Sequence, residues 1–124
     1  MLHAYAETIG VQLVRHDNGI KAWYHHPTRT ISTRRGLSIQ AYKSTLAHEL
    51  GHATYRDTPT GNGHYDQRQE RRADQWAANV LIDPKAFEDA YIWHGGDLRA
   101  VADDLEVTRH LLDVWCTQLE RNPT

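Results

Sequence analysis

An α+β fold is predicted for this chain of 124 residues from three observations. β-prone runs crowd into the first third around an Asn-Gly pair. A proline-free run beginning near Ser38 carries the pattern H-E-x-x-H. Beyond residue 69, apolar steps of three and four and repeated helix-start signals take over. The length suits one compact domain, 1–124, divided into an N-terminal helix and sheet (1–36), a two-helix metal site (38–82) and C-terminal helices (84–120). A hydrophobic content of 40% and a mean hydropathy of −0.71 imply a small core under much polar surface.

Residues 1–9 read as a short amphipathic helix through Leu2, Tyr5, Ala6 and Ile9, closed by Gly10. Val11-Gln12-Leu13-Val14 and Ile20-Lys21-Ala22-Trp23-Tyr24 flank Asp17-Asn18-Gly19, which predicts a hairpin and thus a short antiparallel sheet. Pro27 breaks the chain before Arg29-Thr30-Ile31-Ser32-Thr33, a third strand ended by Gly36, whose edge would pair with an extended substrate. His25 and His26 are neighbours in an extended stretch, point to opposite faces and read as surface or turn residues. Ser38, or Ser44 for a later start, supplies an N-cap for the motif helix. Arg56 to Tyr65, with Pro59, Gly61 and Gly63, reads as an irregular loop overhanging a cleft. Asp83-Pro84 opens a helix that runs through Phe87 and Tyr91 to Gly95-Gly96. Asp97 to Leu112 has the look of helix-turn-helix, with Val107 in the turn and Thr108 as N-cap. Asn122-Pro123-Thr124 reads as a frayed end.

The chemistry centres on Thr45-Leu46-Ala47-His48-Glu49-Leu50-Gly51-His52-Ala53. On a helix, His48 and His52 lie one turn apart on one face, the separation at which two imidazoles reach a single metal ion. With the His and Glu content of this chain, about 0.03 chance matches to the pattern are expected, so context has to decide. Ile39, Tyr42, Leu46, Leu50 and Ala53 form an apolar stripe away from the histidine face, which favours a packed helix. Gly51 costs about 1 kcal/mol relative to alanine there, and close approach of another backbone or of the metal site would explain it. Catalytic zinc takes three protein ligands and leaves a fourth position for water, whose pKa falls to about 7, and Glu49 is placed to take its proton.

Glu70 is the best third ligand: Ala73, Ala77, Val80 and Leu81 give its helix a narrow face of mostly small residues that packs close to the first. Asp74, one turn on, can accept the second ring N–H of a ligating histidine. His64 and Tyr65, near the end of the loop, are candidate oxyanion donors, as are Tyr55 and His94. Taken together, His48-Glu49-Leu50-Gly51-His52, Glu70-x-x-Ala73-Asp74-x-x-Ala77-Ala78-x-x-Leu81-Ile82 and Asp83-Pro84 resemble the ImmA/IrrE family of metallopeptidases of bacteria, phages and integrative elements, most closely over residues 35–90. The resemblance implies a small zincin-like fold, one Zn2+ held by His48, His52 and Glu70, Glu49 as catalytic base, and cleavage or relief of a helix-turn-helix repressor. Ile82-Asp83-Pro84 departs from the family's usual Met-Pro ending, which alters packing and leaves the ligands untouched.

Composition bounds the alternatives. Met1-Leu2-His3-Ala4-Tyr5 lacks the features of a signal peptide, and the apolar runs are short, so a cytoplasmic protein of a bacterial host cell is expected, with no membrane partner. Cys116, the single cysteine, sits among Leu112, Trp115 and Leu119 and reads as an inert thiol. Net charge is −2, leaving two arginine groups, Arg29/Arg34/Arg35 and Arg68/Arg71/Arg72, as local basic patches; the second could steer an acidic partner to the metal cleft. Acidic residues outnumber arginines six to two between Asp97 and Glu120, so direct nucleic-acid binding is not expected and the helix-turn-helix look-alike reads as a packing or protein-binding unit. The expected function is a zinc endopeptidase acting on a protein, from the resemblance a repressor of phage or mobile-element genes. The alternatives are a non-proteolytic antirepressor and a metal-stabilised DNA-binding regulator.

Overall fold

A computed structural model describes residues 1–121; the reading of Asn122-Pro123-Thr124 as a frayed end lies outside the described residues. The order of elements is α1 (Leu2–Thr8), β1 (Gln12–His16), β2 (Ala22–His25), β3 (Thr30–Arg34), α2 (Ile39–Tyr55), α3 (Gly63–Leu81), α4 (Pro84–Trp93), α5 (Leu98–Asp104) and α6 (Arg109–Arg121), an α+β arrangement.

The sheet corrects one expectation. Asn18 and Gly19 do adopt the left-handed φ of 61° and 82° that an Asn-Gly turn favours, yet β1 and β2 do not pair. The strand order is β1-β3-β2, with β3 parallel to β1 and antiparallel to β2, so the sheet is mixed rather than antiparallel. Burial explains it. Ile31, Ser32 and Thr33 are all buried in β3, which suits a strand flanked on both sides, whereas β1 and β2 keep exposed residues and take the edges. His16 spans the open turn, its ring nitrogens 2.6 Å from Ser32 Oγ and 2.8 Å from Ile20 O. The strand with a free edge near the motif helix is therefore β2, not the third strand.

Ser38 caps α2, its Oγ accepting from Ala41 N at 3.1 Å, while the Ser44 hydroxyl is buried and accepts from Thr108 N at 3.0 Å. α2 buries Leu46, Leu50 and Ala53 against β3 and α1; Ile39, expected in that stripe, is 55% exposed at the first turn. α3 crosses α2 through Ala73 and Ala77, both fully buried. It begins at Gly63, capped by Asn62, so the irregular segment is shorter than expected and His64 and Tyr65 belong to the first turn of the helix. α3 and α6 divide the core: Ala77 and Leu111 face the sheet side, while Ala78 and Leu112 join Ile82, Ala90, Val101, Val107 and Trp115 on the other. Asp83, Asp97 and Thr108 cap the last three helices through Ala86 N, Arg99 N and Leu111 N. Cys116 is half-buried, and burial followed by Asp113 and Glu120 pushes its thiol up, as befits an unreactive side chain.

At Gly51 the α2 backbone lies close against α3. A Cβ there would lie 3.0 Å from both Cα and O of Ala73 and 3.3 Å from its Cβ. Backbone cannot swing aside as a side chain can, so Gly51→Ala should cost about 1–3 kcal/mol in overpacking, partly offset by the roughly 1 kcal/mol gain in helix propensity. Thermal unfolding with chelator present should show a lower midpoint. An equal or higher midpoint would mean that the helices separate freely here.

Candidate metal centre

Helical periodicity places His48, Glu49 and His52 on α2 over the face that meets α3, and the alanine contact brings Glu70 across to them. His48 Nε2, His52 Nε2 and Glu70 Oε2 converge, with separations of 2.8 Å and 2.7 Å from each imidazole to the carboxylate and 3.2 Å between the imidazoles. Among the described residues this is the group of histidine, cysteine or acidic side chains able to hold a metal ion.

Each imidazole is oriented from behind. His48 Nδ1–H donates to Asp74 Oδ1 at 2.7 Å, and His52 Nδ1–H donates to Asp57 Oδ2 at 2.9 Å, so both Nε2 atoms face the point of convergence. Asp57 is held in turn by Arg72 Nη2 at 2.6 Å, and that guanidinium lies 4.1 Å from the centre of the Tyr55 ring. Asp74 receives a second donor from α6, His110 Nε2–H at 2.8 Å. Asp57 and His110 are the residues that sequence reasoning missed. Asp57 reaches His52 because α2 ends with Arg56 in the left-handed conformation, φ 57°, and the chain doubles back so that Asp57 N donates to His52 O at 2.9 Å. Neither Asp57 nor His110 carries a marker in the sequence: the cap residue is arginine where glycine is usual, and His110 lies on a separate helix, α6.

Charge follows geometry. Burial pulls the His48 imidazole down, but the hydrogen bond and charge of Asp74, with Glu49 and Glu70, outweigh it and raise the pKa to about 9 in the metal-free protein. Burial raises the Glu49 carboxyl, opposed by His48 and His52 and reinforced by Glu70. Asp74 is lowered: burial works upward, and the hydrogen bonds from His48 and His110 overcome it.

Glu49, His52, Asp57, Asp66 and Glu70 line a cleft of about 350 Å³ whose far wall is β2, through Ala22, Trp23 and Tyr24. His48 faces a second recess with Lys21, the residue before β2, and His110. The structure does not bring His64 there. It is exposed in the first turn of α3, edge-on to Tyr65, and lines neither recess. His94 pairs with Asp104, and Tyr55 lies under Arg72, both away from the cleft lining. His25 and His26 bond to Thr28 and Tyr24.

The sequence profile of the IrrE N-terminal-like domain, peptidase family M78, matches residues 6–116 and so runs from the end of α1 into α6. The chain belongs to this ImmA/IrrE metallopeptidase family. No curated protein matches the IrrE-like domain at significant similarity. Among solved structures it is similar to a Mycobacterium tuberculosis transcriptional regulator, with a TM-score of 0.72 and 16% identity over 98% of this chain. The domain spans 41% of that regulator's length, and at this identity the likeness is one of fold. No helix among the described residues is long and apolar enough to cross a membrane.

Asp57 offers a direct test of orientation from behind. Asp57→Asn keeps an acceptor for His52 but loses the charge that fixes its tautomer, so metal affinity should fall about 10–100-fold. Competition against a chromogenic chelator reads this; an unchanged Kd would show that the His52–Asp57 contact is inert.

Proposed function

We propose that the IrrE-like domain is a zinc-dependent endopeptidase that cuts a protein substrate, a helix-turn-helix repressor of phage or mobile-element genes. The observation that carries this reading is the convergence of His48 Nε2, His52 Nε2 and Glu70 Oε2 beside Glu49 in a cleft walled by an edge strand. Two imidazoles and one carboxylate are a zinc-type donor set with room for a fourth ligand. Ligands about 2.0–2.1 Å from one tetrahedral ion stand roughly 3.3 Å apart, so the donor atoms need to open by only about half an ångström. Bound zinc would supply Lewis acidity, polarising a peptide carbonyl and acidifying water.

The chain's own residues do the rest. The free edge of β2 pairs with the backbone of an extended substrate and lays the scissile bond over the ligands. Glu49 takes the proton of the attacking water and passes it to the departing amine, a task for which a carboxyl raised by burial is better matched than an exposed one. Asp74 and Asp57 hold the two imidazoles so that neither rotates away.

Incubation of the zinc-loaded protein with the repressor encoded beside its gene, read by intact mass, tests the proposal. Two fragments whose masses sum to the repressor plus one water are expected. An intact repressor that remains bound points instead to an antirepressor.

A further inference from the structure

The two arginine groups have different fates in the fold. Arg29 donates to Ile9 O, Ala53 O and Tyr24 Oη, Arg34 to Gly19 O, and Arg35 pairs with Asp17, so the first group is spent on internal contacts. The second stays together on the outer face of α3. Arg68 and Arg71 have no carboxylate within ion-pair distance among the described residues, and Arg72 is tied to Asp57, which lines the cleft. These three line a recess of about 460 Å³ with Tyr65, Gln69 and Thr60.

The recess and the metal cleft are neighbours on α3. Gln69 lines both. The connection between α2 and α3 gives Thr58 and Pro59 to the cleft and Thr60 to the recess, and Asp66 fixes it there by accepting from Thr60 N at 2.9 Å and Thr60 Oγ1 at 2.8 Å. A chain leaving the cleft past Gln69 therefore meets arginines. The cleft itself is acidic, carrying Glu49, Asp57, Asp66 and Glu70. A duplex, with charge along its whole length, finds no run of cationic side chains across the cleft to follow beyond the three arginines. A polypeptide can be neutral where it crosses the ligands and acidic where it leaves.

We propose that the Arg68/Arg71/Arg72 recess is a docking site for an acidic segment of the protein substrate, flanking the bond to be cut. This rests on the peptidase reading for the word substrate, but docking itself is measured without cleavage. Guanidinium groups on a helix face offer forked donors to carboxylates, and Tyr65 gives the recess an aromatic wall.

The test uses the zinc-loaded protein and three fluorescein-labelled probes: a peptide with a run of glutamates, the same peptide with glutamines, and a short DNA duplex. Fluorescence anisotropy should show the glutamate peptide bound more tightly than the other two, and less tightly as salt rises. Arg68→Glu with Arg71→Glu should weaken it at least about tenfold, the low end for close interfacial charge pairs, whereas Arg68→Lys with Arg71→Lys, which keeps the charge and loses the fork, should weaken it less than the glutamate pair does. Arg68→Gln with Arg71→Gln gives the same reading should charge reversal unfold the chain. Binding of the glutamate peptide indifferent to these changes, or a duplex bound more tightly than it, overturns the proposal. Cleavage is read separately by mass: arginine-dependent binding of an uncut repressor upholds docking and removes the peptidase, and arginine-independent cleavage does the reverse.

Discussion

Glu49→Gln is expected to lower peptide-bond hydrolysis by about 10²–10⁴-fold while leaving metal content, fold and partner binding in place. Glu49 is adjacent to ligand His48, but its side chain is not among the converging donors, which come from His48, His52 and Glu70. Glutamine preserves its shape and removes its capacity to accept a proton, so the loss falls on turnover and spares binding. Metal content, repressor binding and repressor cleavage measured on one sample separate the enzyme from a metal-bearing antirepressor. If the variant still relieves repression in cells, and the wild type never cuts the partner it binds, the peptidase mechanism has to be given up.

The second large effect is on the metal. The wild-type protein should carry one zinc ion per chain, and His48→Ala with His52→Ala should carry none, because a single carboxylate that is 60% exposed is too poor a site alone. Elemental analysis decides it, and stoichiometric zinc in the double variant would remove the assignment. The pH dependence has a definite sign. With the His48 pKa at about 9 in the metal-free protein, a proton occupies the ring at neutral pH and has to leave on binding. Affinity should therefore climb by about tenfold per pH unit from 7 towards 9 and then flatten. Metal-free stability runs the other way: the ion pairs of His48⁺ contribute fully below about pH 6.5 and are lost as pH rises through about 9.

Much of this centre could be read from residue spacing. His48 and His52 are one turn apart on a single helix, and Glu70 and Asp74 repeat that spacing on the next, so helix geometry alone sets both pairs. Gly51 announced the close approach of a second backbone, and Ala73 provides it. What could not be read depends on how separate elements dock. His110 meets Asp74 only because α6 packs along α3, and Asp57 meets His52 only through a left-handed residue, Arg56, at a position where glycine is the usual marker. The hairpin misled because the Asn18-Gly19 conformation is a local property, whereas pairing is settled by which strand can be buried on both faces. His64 reads in the sequence as the end of an irregular loop, but the Asn62 cap starts α3 at Gly63 and takes it into the first helical turn.

The strand order also fixes when the sheet can form. β2 and β3 are joined by a tight turn, with Arg29 N bonded to His26 O, and so make a hairpin of neighbours that can close within about 1–10 μs. β1 leaves the ribosome earlier than either but has no partner until β3 has followed it, since Gln12 pairs with Thr30 and His16 with Arg34. Closing that loop is the slower, entropically costly step. The first strand made is thus expected to be the last laid down, and the strand that walls the cleft is held by the more local of the two strand pairings. Loosening at the N-terminus would then leave the β2–β3 pairing in place while uncovering Leu46, Leu50 and Ala53 of α2, which pack with Leu2 and Ala6.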